Sequence, residues 1–198
     1  MEIDIYDFDK TVVPFDSGTL FTVYCMIRYP WCFLLLPIIA VGFILMLLHI
    51  ISFTAFKRIC FLYLPLIPKK RAVAKFWDRH IDEVYPWFHE RKRYSVVISA
   101  SPDFLLEEAE RRLRFDQLIC TKHHPKTGVI IGENCRNKEK VRRLYQVFSE
   151  DDIKVIDVYS DSLKHDKPLF SLATGKCYHI VNGERKEFVF SEKYKDYV

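Results

Sequence analysis

The chain has 198 residues, 49% of them hydrophobic and 28% charged, with a formal net charge of +4. This length suits one core of ordinary size with a small insertion, and the modest charge makes no case for a nucleic-acid partner. Six cysteines occur without any CxxC spacing, which argues against a zinc site and for reduced thiols in a cytosol-facing protein.

Residues 2–8, EIDIYDF, alternate and carry Ile and aromatics, so they are predicted to form a strand. The opening is acidic (Glu2, Asp4, Asp7, Asp9), unlike the basic start of a secretory signal, and is expected to be folded protein. From Tyr29 to Phe56 no Asp, Glu, Lys or Arg occurs. YSVVIS (94–99) reads as a buried strand, and Ser101-Pro102 as the N-cap and first-turn proline of a helix over PDFLLEEAERRLRF. QLICT (117–121) is a short strand, and Lys126-Thr127-Gly128 a turn leading into VIIG as a small hairpin. NKEKVRRLYQVF is predicted helical, and KVIDVYS (154–160) another buried strand. CYHIV and EFVF flank Asn182-Gly183 as a hairpin-like end, followed by a polar tail, EKYKDYV.

Strands alternating with helices predict an α/β fold with a mainly parallel sheet, whose ligands sit at the carboxyl ends of the strands. Asp7 and Asp9 follow the first strand, Ser99 ends the second, Asp161 follows the last buried one, and Lys140 opens a helix. All are therefore expected on one sheet edge. Two carboxylates two residues apart on one strand face repel unless a cation or proton lies between them. With Asp161 they make an oxygen-rich set suited to Mg²⁺. Beside such a metal, Asp7 is placed to attack phosphorus and Asp9 to protonate the leaving alcohol and then activate water. Lys140 and the Ser99 hydroxyl would bind the phosphoryl group, and Thr11 would fix the turn after the strand. Taken singly, each fragment is an ordinary turn, cap or polar loop; their order and placement together point to phosphoryl transfer. Lys164, His165 and Lys167 either hold phosphate or shape the mouth of the site or, as is the commoner case, form a solvated loop, and His123 and His124 are read as surface residues.

DFDKT (7–11), VVISAS, Lys140 in CRNKEKV and YSDSLKHDKPL resemble the four motifs of the haloacid dehalogenase superfamily. The resemblance implies a Rossmann-like fold, Mg²⁺ dependence and a phospho-aspartate mechanism. By position, Asp7 resembles the nucleophile, Asp9 the acid/base, and Ser99 and Lys140 the phosphate binders. Asp7, Asp161 and the Asp9 backbone carbonyl resemble the metal ligands, with Asp166 a supporting member. Within the superfamily the chain resembles the phosphoserine-phosphatase-like branch, and there the phosphatidylglycerophosphatase C group, which carries an apolar segment in the same place. Three departures stand out: Lys10 and Ala100 occupy positions where glycine is common, and Asp166 lies one residue further from Asp161 than expected.

The expected organisation is a Rossmann-like core of residues 1–13 and 92–198 with a helical cap, 14–91, whose segment near 29–68 enters the membrane. The uncharged run is long enough for one crossing. However, the first motif precedes it and the others follow, so both its ends must lie on one side. Two half-depth helices broken near Pro37 or Gly42, one crossing returned by 59–68, or a helix lying in the interface each satisfy this. Basic residues at both flanks (Arg28; Lys57, Arg58, Lys69, Lys70, Arg71) favour a cytoplasmic site at the cell membrane. Trp31, Tyr63, Trp77 and Trp87 either mark that interface or pack in a core. The expected partners are a lipid phosphate substrate and membrane lipids, with no nucleic acid and no obligate protein partner. By resemblance, phosphatidylglycerophosphate is the best single substrate. A tethered phosphatase of a small soluble ester such as phosphoserine, and a non-enzymatic module that binds a phosphorylated partner, are the competing readings.

Overall fold

The computed structural model describes residues 1–194. In chain order the elements are β1 (Glu2–Tyr6), α1 (Ser17–Arg28), a 3-10 segment (Pro30–Leu35), α2 (Leu36–Leu47), α3 (Phe53–Cys60), α4 (Lys69–His80) and α5 (Pro86–His89). There follow β2 (Tyr94–Pro102), α6 (Asp103–Leu113), β3 (Gln117–Thr121), α7 (Lys138–Val147), β4 (Lys154–Ser160), α8 (Lys167–Phe170), β5 (Cys177–Val181), β6 (Glu184–Phe188) and α9 (Phe190–Lys193).

The strands form one six-stranded sheet in the order β3-β2-β1-β4-β5-β6, parallel except for the β5–β6 hairpin. The α/β, mainly parallel fold expected from the sequence is the fold observed. Alternation along β1 sends Ile3 and Ile5 to one face and Tyr6 to the other, and each face has its own core. On the first, Tyr6, Val97 and Tyr159 meet Phe21, Phe76, Trp77 and Leu105 from the helices. On the second, Ile3, Ile5, Val96 and Val158 pack against Leu144 and Phe170. Covering both faces is what buried parallel strands require.

Several sequence expectations need correction. Ser101 and Pro102 do not open a helix. The β2 strand continues through them because Pro102 pairs with Thr121 across an irregularity in the β2–β3 register, and α6 starts at Asp103. In the C-terminal hairpin the second strand is Glu184–Phe188, beginning directly after the turn in which Asn182 and Gly183 have φ of 52° and 84°. The hairpin after Gly128 is reduced to a single bridge, His123 with Ile130. Glu192 and Lys193 of the expected tail close α9, the Tyr194 hydroxyl donates to the Leu163 carbonyl at 3.1 Å, and residues 195–198 lie outside the described residues. Tyr63 and Trp77 are fully buried core residues. Trp87 covers a stack of Tyr6, Tyr159 and Tyr178, so Trp31 alone of the four aromatics is exposed. His123 is buried too: its Nδ1 lies 3.0 Å from the Thr121 carbonyl and 3.4 Å from Asp103.

The uncharged run folds as a helical hairpin. The helix does not break at Pro37, which sits at the start of α2, or at Gly42, which lies inside it. The reversal falls at residues 48–52, where His49 has φ of 57° and the Ser52 hydroxyl caps α3. Gly42 lets α3 approach, because a Cβ there would lie 2.8 Å from Ile59 Cδ1. Pro30–Leu47 is long and apolar enough to cross a membrane, with only 11% of it buried. Its partly or fully buried residues, Cys32, Leu35, Ile39, Gly42, Leu45 and Met46, recur every three or four positions and so form one stripe. Leu34, Ile38, Val41, Ile44 and Leu48 are exposed.

Candidate active site

The irregular backbone that follows the central strands builds a cleft at their carboxyl ends. The Asp7 amide still donates to the Tyr159 carbonyl at 2.9 Å, so the nucleophile candidate is locked to the sheet. After it the chain turns sharply, with Lys10 at φ 56°. A glycine adopts that conformation freely and a lysine does so at about 1 kcal/mol. The departure at Lys10 is therefore absorbed as local strain, with its side chain in the cleft wall.

Thr11 joins two loops. Its hydroxyl lies 3.4 Å from Asp7 Oδ2 and accepts the Asp161 amide at 2.8 Å. Lys140, in the first turn of α7, is 3% exposed and donates to Asp7 Oδ1 at 2.6 Å and to Asp166 Oδ2 at 2.9 Å. Asp166 also accepts the Ser160 hydroxyl at 2.6 Å. The extra residue before Asp166 thus leaves it inside the cluster. Ser99 is buried in the cleft wall, its Oγ accepting the Ser101 amide at 3.1 Å. Asp9 accepts the Ser17 amide at the start of α1 at 3.0 Å and the Ser101 hydroxyl on its other oxygen. The cleft has a volume of about 230 Å³ and brings together Asp7, Asp9, Ser99, Lys140, Asp161 and Asp166.

Electrostatics separates the two leading carboxyls. Burial pushes Asp9 up to about 6, with the Asp16 charge adding and the hydrogen bonds from Ser101 and Ser17 opposing. A carboxyl near 6 exchanges its proton around neutral pH, as a group that is acid in one step and base in the next must. Burial pushes Asp7 upward as well; the Lys140 charge and hydrogen bond oppose this and favour the carboxylate, while Asp166 and Asp161 add to the upward push. For Lys140, burial favours the neutral amine, but the Asp166 and Asp7 charges outweigh it and the ammonium is held. Three carboxylates therefore share one buried ammonium, a local deficit of positive charge. Burial raises Asp161 as well, followed by the Asp166 charge.

That deficit is what a divalent cation would offset. Asp7, Asp161 and the Asp9 carbonyl offer the all-oxygen donors that Mg²⁺ prefers. Among the described residues no group of three or more His, Cys, Asp or Glu side chains gathers as a metal cluster. A set of two carboxylates completed by a main-chain carbonyl agrees with that, and the residues present fit the ion.

Several cleft residues are given no definite place in the site by the sequence, although Ser101, Arg136 and His165 lie inside the quoted motifs. Ser101 bonds Asp9, and Asp16 caps α1. Lys57, read from the sequence as a basic flank of the apolar run, turns inward and donates to the Ala100 carbonyl at 3.0 Å. Arg136 lines the mouth and lies 2.7 Å from His165 Nε2. His165 also lies 3.0 Å from Asn137 Oδ1, so it braces the cleft rather than standing in a solvated loop.

A family model described as haloacid dehalogenase-like hydrolase matches residues 5–171, from the strand before Asp7 to just past Asp166. The chain belongs to that family. The matched span contains every residue that lines the candidate cleft. It is 35% identical over 94 residues to Protein CicA of Caulobacter vibrioides (strain NA1000 / CB15N), covering 45% of this chain and 41% of that protein. The match thus spans about two fifths of that curated relative's length. In fold the hydrolase is similar to a protein with unknown function from Bordetella pertussis Tohama I, with TM-score 0.71, 16% identity, and 90% and 89% of the two chains covered. It is also similar to a phospho-aspartyl intermediate analogue of phosphoserine phosphatase, with TM-score 0.52, 16% identity, and 90% and 85% covered. At these identities the two structural likenesses concern the fold.

Proposed function

We propose that this hydrolase is a Mg²⁺-dependent phosphomonoesterase that acts through a phospho-aspartate on Asp7, on a lipid phosphate at the cytoplasmic face of the cell membrane. The observation that carries the chemistry is the pairing of Asp7, held by Lys140 at 2.6 Å, with an Asp9 that exchanges protons near neutral pH, in one cleft.

A carboxylate oxygen of Asp7 attacks phosphorus, the bond from phosphorus to the alcohol oxygen breaks, and the Asp9 proton goes to that departing oxygen. Lys140 Nζ and Ser99 Oγ hold phosphoryl oxygens through the transfer. Asp9, now ionised, takes a proton from water as the water oxygen bonds to phosphorus. The bond from phosphorus to Asp7 then breaks, releasing phosphate and restoring the Asp7 carboxylate. Thr11 and Asp166 orient Asp7 and Lys140. Asp7, Asp161 and the Asp9 carbonyl would hold Mg²⁺, which would supply positive charge to offset that of the phosphoryl group.

The lipid reading rests on the hairpin. One stripe of α2 packs inward and the rest is exposed and apolar, so the helix lies along the protein surface. The return helix α3 has eight residues, about 12 Å, too short to recross a ~30 Å hydrocarbon layer. An interfacial helix therefore suits both facts best. Residues 14–91 would then act as a cap that seats the cleft on the bilayer. Phosphatidylglycerophosphate, converted to phosphatidylglycerol, is the substrate the sequence resemblance favours.

The test is Mg²⁺-dependent phosphate release from phosphatidylglycerophosphate in mixed micelles, with Asp7→Asn as control. Release that vanishes in the variant, with little turnover of phosphoserine, is expected. Asp7-dependent release from small esters but not from the lipid would keep the chemistry and reject the substrate.

A further inference from the structure

A second cavity adjoins the candidate cleft. It has a volume of about 310 Å³ and runs between α1 and α3. Thr22 and Val23 line it from α1 and Phe56 and Cys60 from α3, with Phe61 and Pro102 completing the lining. The two cavities share Asp16, Phe53, Lys57 and Ser101 as lining, so they adjoin at these side chains.

The junction changes character over one ring. The Phe53 ring has the Arg136 guanidinium 5.0 Å from its centroid and the Lys57 ammonium 5.7 Å away. On the cleft side of this neck the lining is charged; beyond it the lining is mostly apolar. Phe56 also meets Phe43 of α2, with ring centroids 5.8 Å apart, and Phe43 is itself 46% exposed. A molecule with an anionic head and an apolar chain matches this sequence of surfaces: phosphate against Lys140, the linking region beside Lys57 and Arg136, the chain between α1 and α3.

We propose that this groove binds the apolar chain of the substrate, making Val23, Phe56 and Cys60 determinants of specificity for long-chain phosphate monoesters. The inference rests on the phosphatase reading and adds a place for the chain within the protein. Recognition then depends on protein contacts made by a single substrate molecule and operates without a lipid surface.

The test uses ethyl, hexyl and decyl phosphate, each below its critical micelle concentration, with Mg²⁺. In the wild type kcat/KM is expected to rise about twofold per methylene, less than full burial would give because the groove is open along one side. That amounts to roughly 250-fold over the eight added methylenes from ethyl to decyl. Cys60→Trp fills the groove from α3 and Val23→Trp from α1, where Val23 is 47% exposed and a larger side chain is tolerated. Each is expected to reduce the decyl-to-ethyl ratio below about tenfold, the ratio being internal to each variant and insensitive to the amount of folded protein. A ratio near one in the wild type, or an unchanged ratio in both variants, would overturn the groove while Asp7-dependent release keeps the phosphatase reading. No Asp7-dependent release from any of the three esters would overturn that reading and the groove with it.

Discussion

Lys140, Asp7 and Asp166 form a buried charge cluster in which removing the cation and removing an anion should have unequal effects. The Lys140 ammonium is within 2.6 Å of Asp7 and within 2.8 Å of Asp166, and the three side chains are 4%, 11% and 2% exposed. Lys140→Met leaves two carboxylates buried without their partner, which typically costs about 3–5 kcal/mol. Asp166→Asn alone leaves the ammonium with Asp7 and a hydrogen-bonding amide, at about 1–2 kcal/mol. In the double variant Asp166→Asn relieves the repulsion that Lys140→Met created, so the two losses should fall short of their sum by about 1.5–3 kcal/mol. The assay is urea unfolding in mild detergent with chelator at pH 7.5, where Lys140 is charged: its folded value is raised, so its contribution is complete below about 10.5 and lost only as pH climbs through the folded value. At a slope of about 2 kcal/mol per molar urea, Lys140→Met should shift the midpoint by roughly 2 M. Its rate of phosphate release should fall about 100- to 1000-fold. Strict additivity of the stabilities, or a loss below about 1 kcal/mol for Lys140→Met, would refute the cluster's electrostatic account.

Asp9 gives a pH test. With p-nitrophenyl phosphate, whose leaving group needs no proton, turnover limited by water attack should rise with pH through about 6 as Asp9 ionises. Ser101→Ala removes a hydrogen bond that holds Asp9 down, so the midpoint should move up by about half a unit or more; a downward or absent shift counts against Asp9 as the base. Leu34 and Ile38 are 80% and 49% exposed on the hairpin. Replacing both with Asp should weaken sedimentation with vesicles containing one-third anionic lipid by about tenfold or more; undiminished binding would remove the interfacial role of α2.

The strands that carry chemistry were legible because buried parallel strands are β-branched runs, and YSVVIS and KVIDVYS have no competing period. The site order was legible because each reacting group directly follows such a run or opens a helix. What escaped was set by contacts remote in sequence. Ser101 and Pro102 look like a helix start, and only pairing with Thr121 holds them in the strand. ERKEF looks unlike a strand because β6 is an edge with an exposed face, where no apolar alternation is required. Lys57 looked like a membrane flank because nothing in its neighbourhood of the chain announces the Ala100 carbonyl. His123 is buried between Phe61 and Phe104, neither of them near it in sequence.

The apolar hairpin leaves the core after β1 and rejoins it at β2, and these two strands are hydrogen-bonded neighbours at the middle of the sheet. β1 is gripped on its other side by β4. The proposed nucleophile is thus fixed by the ladder itself and not by the 87 residues, 7–93, that run from the end of β1 to the start of β2. A chain severed at the reversal near His49 would keep both halves associated through β1, so the hairpin is a region where insertions, deletions and exchange leave the chemistry in place. Substrate choice can drift there while the catalytic strands stand still.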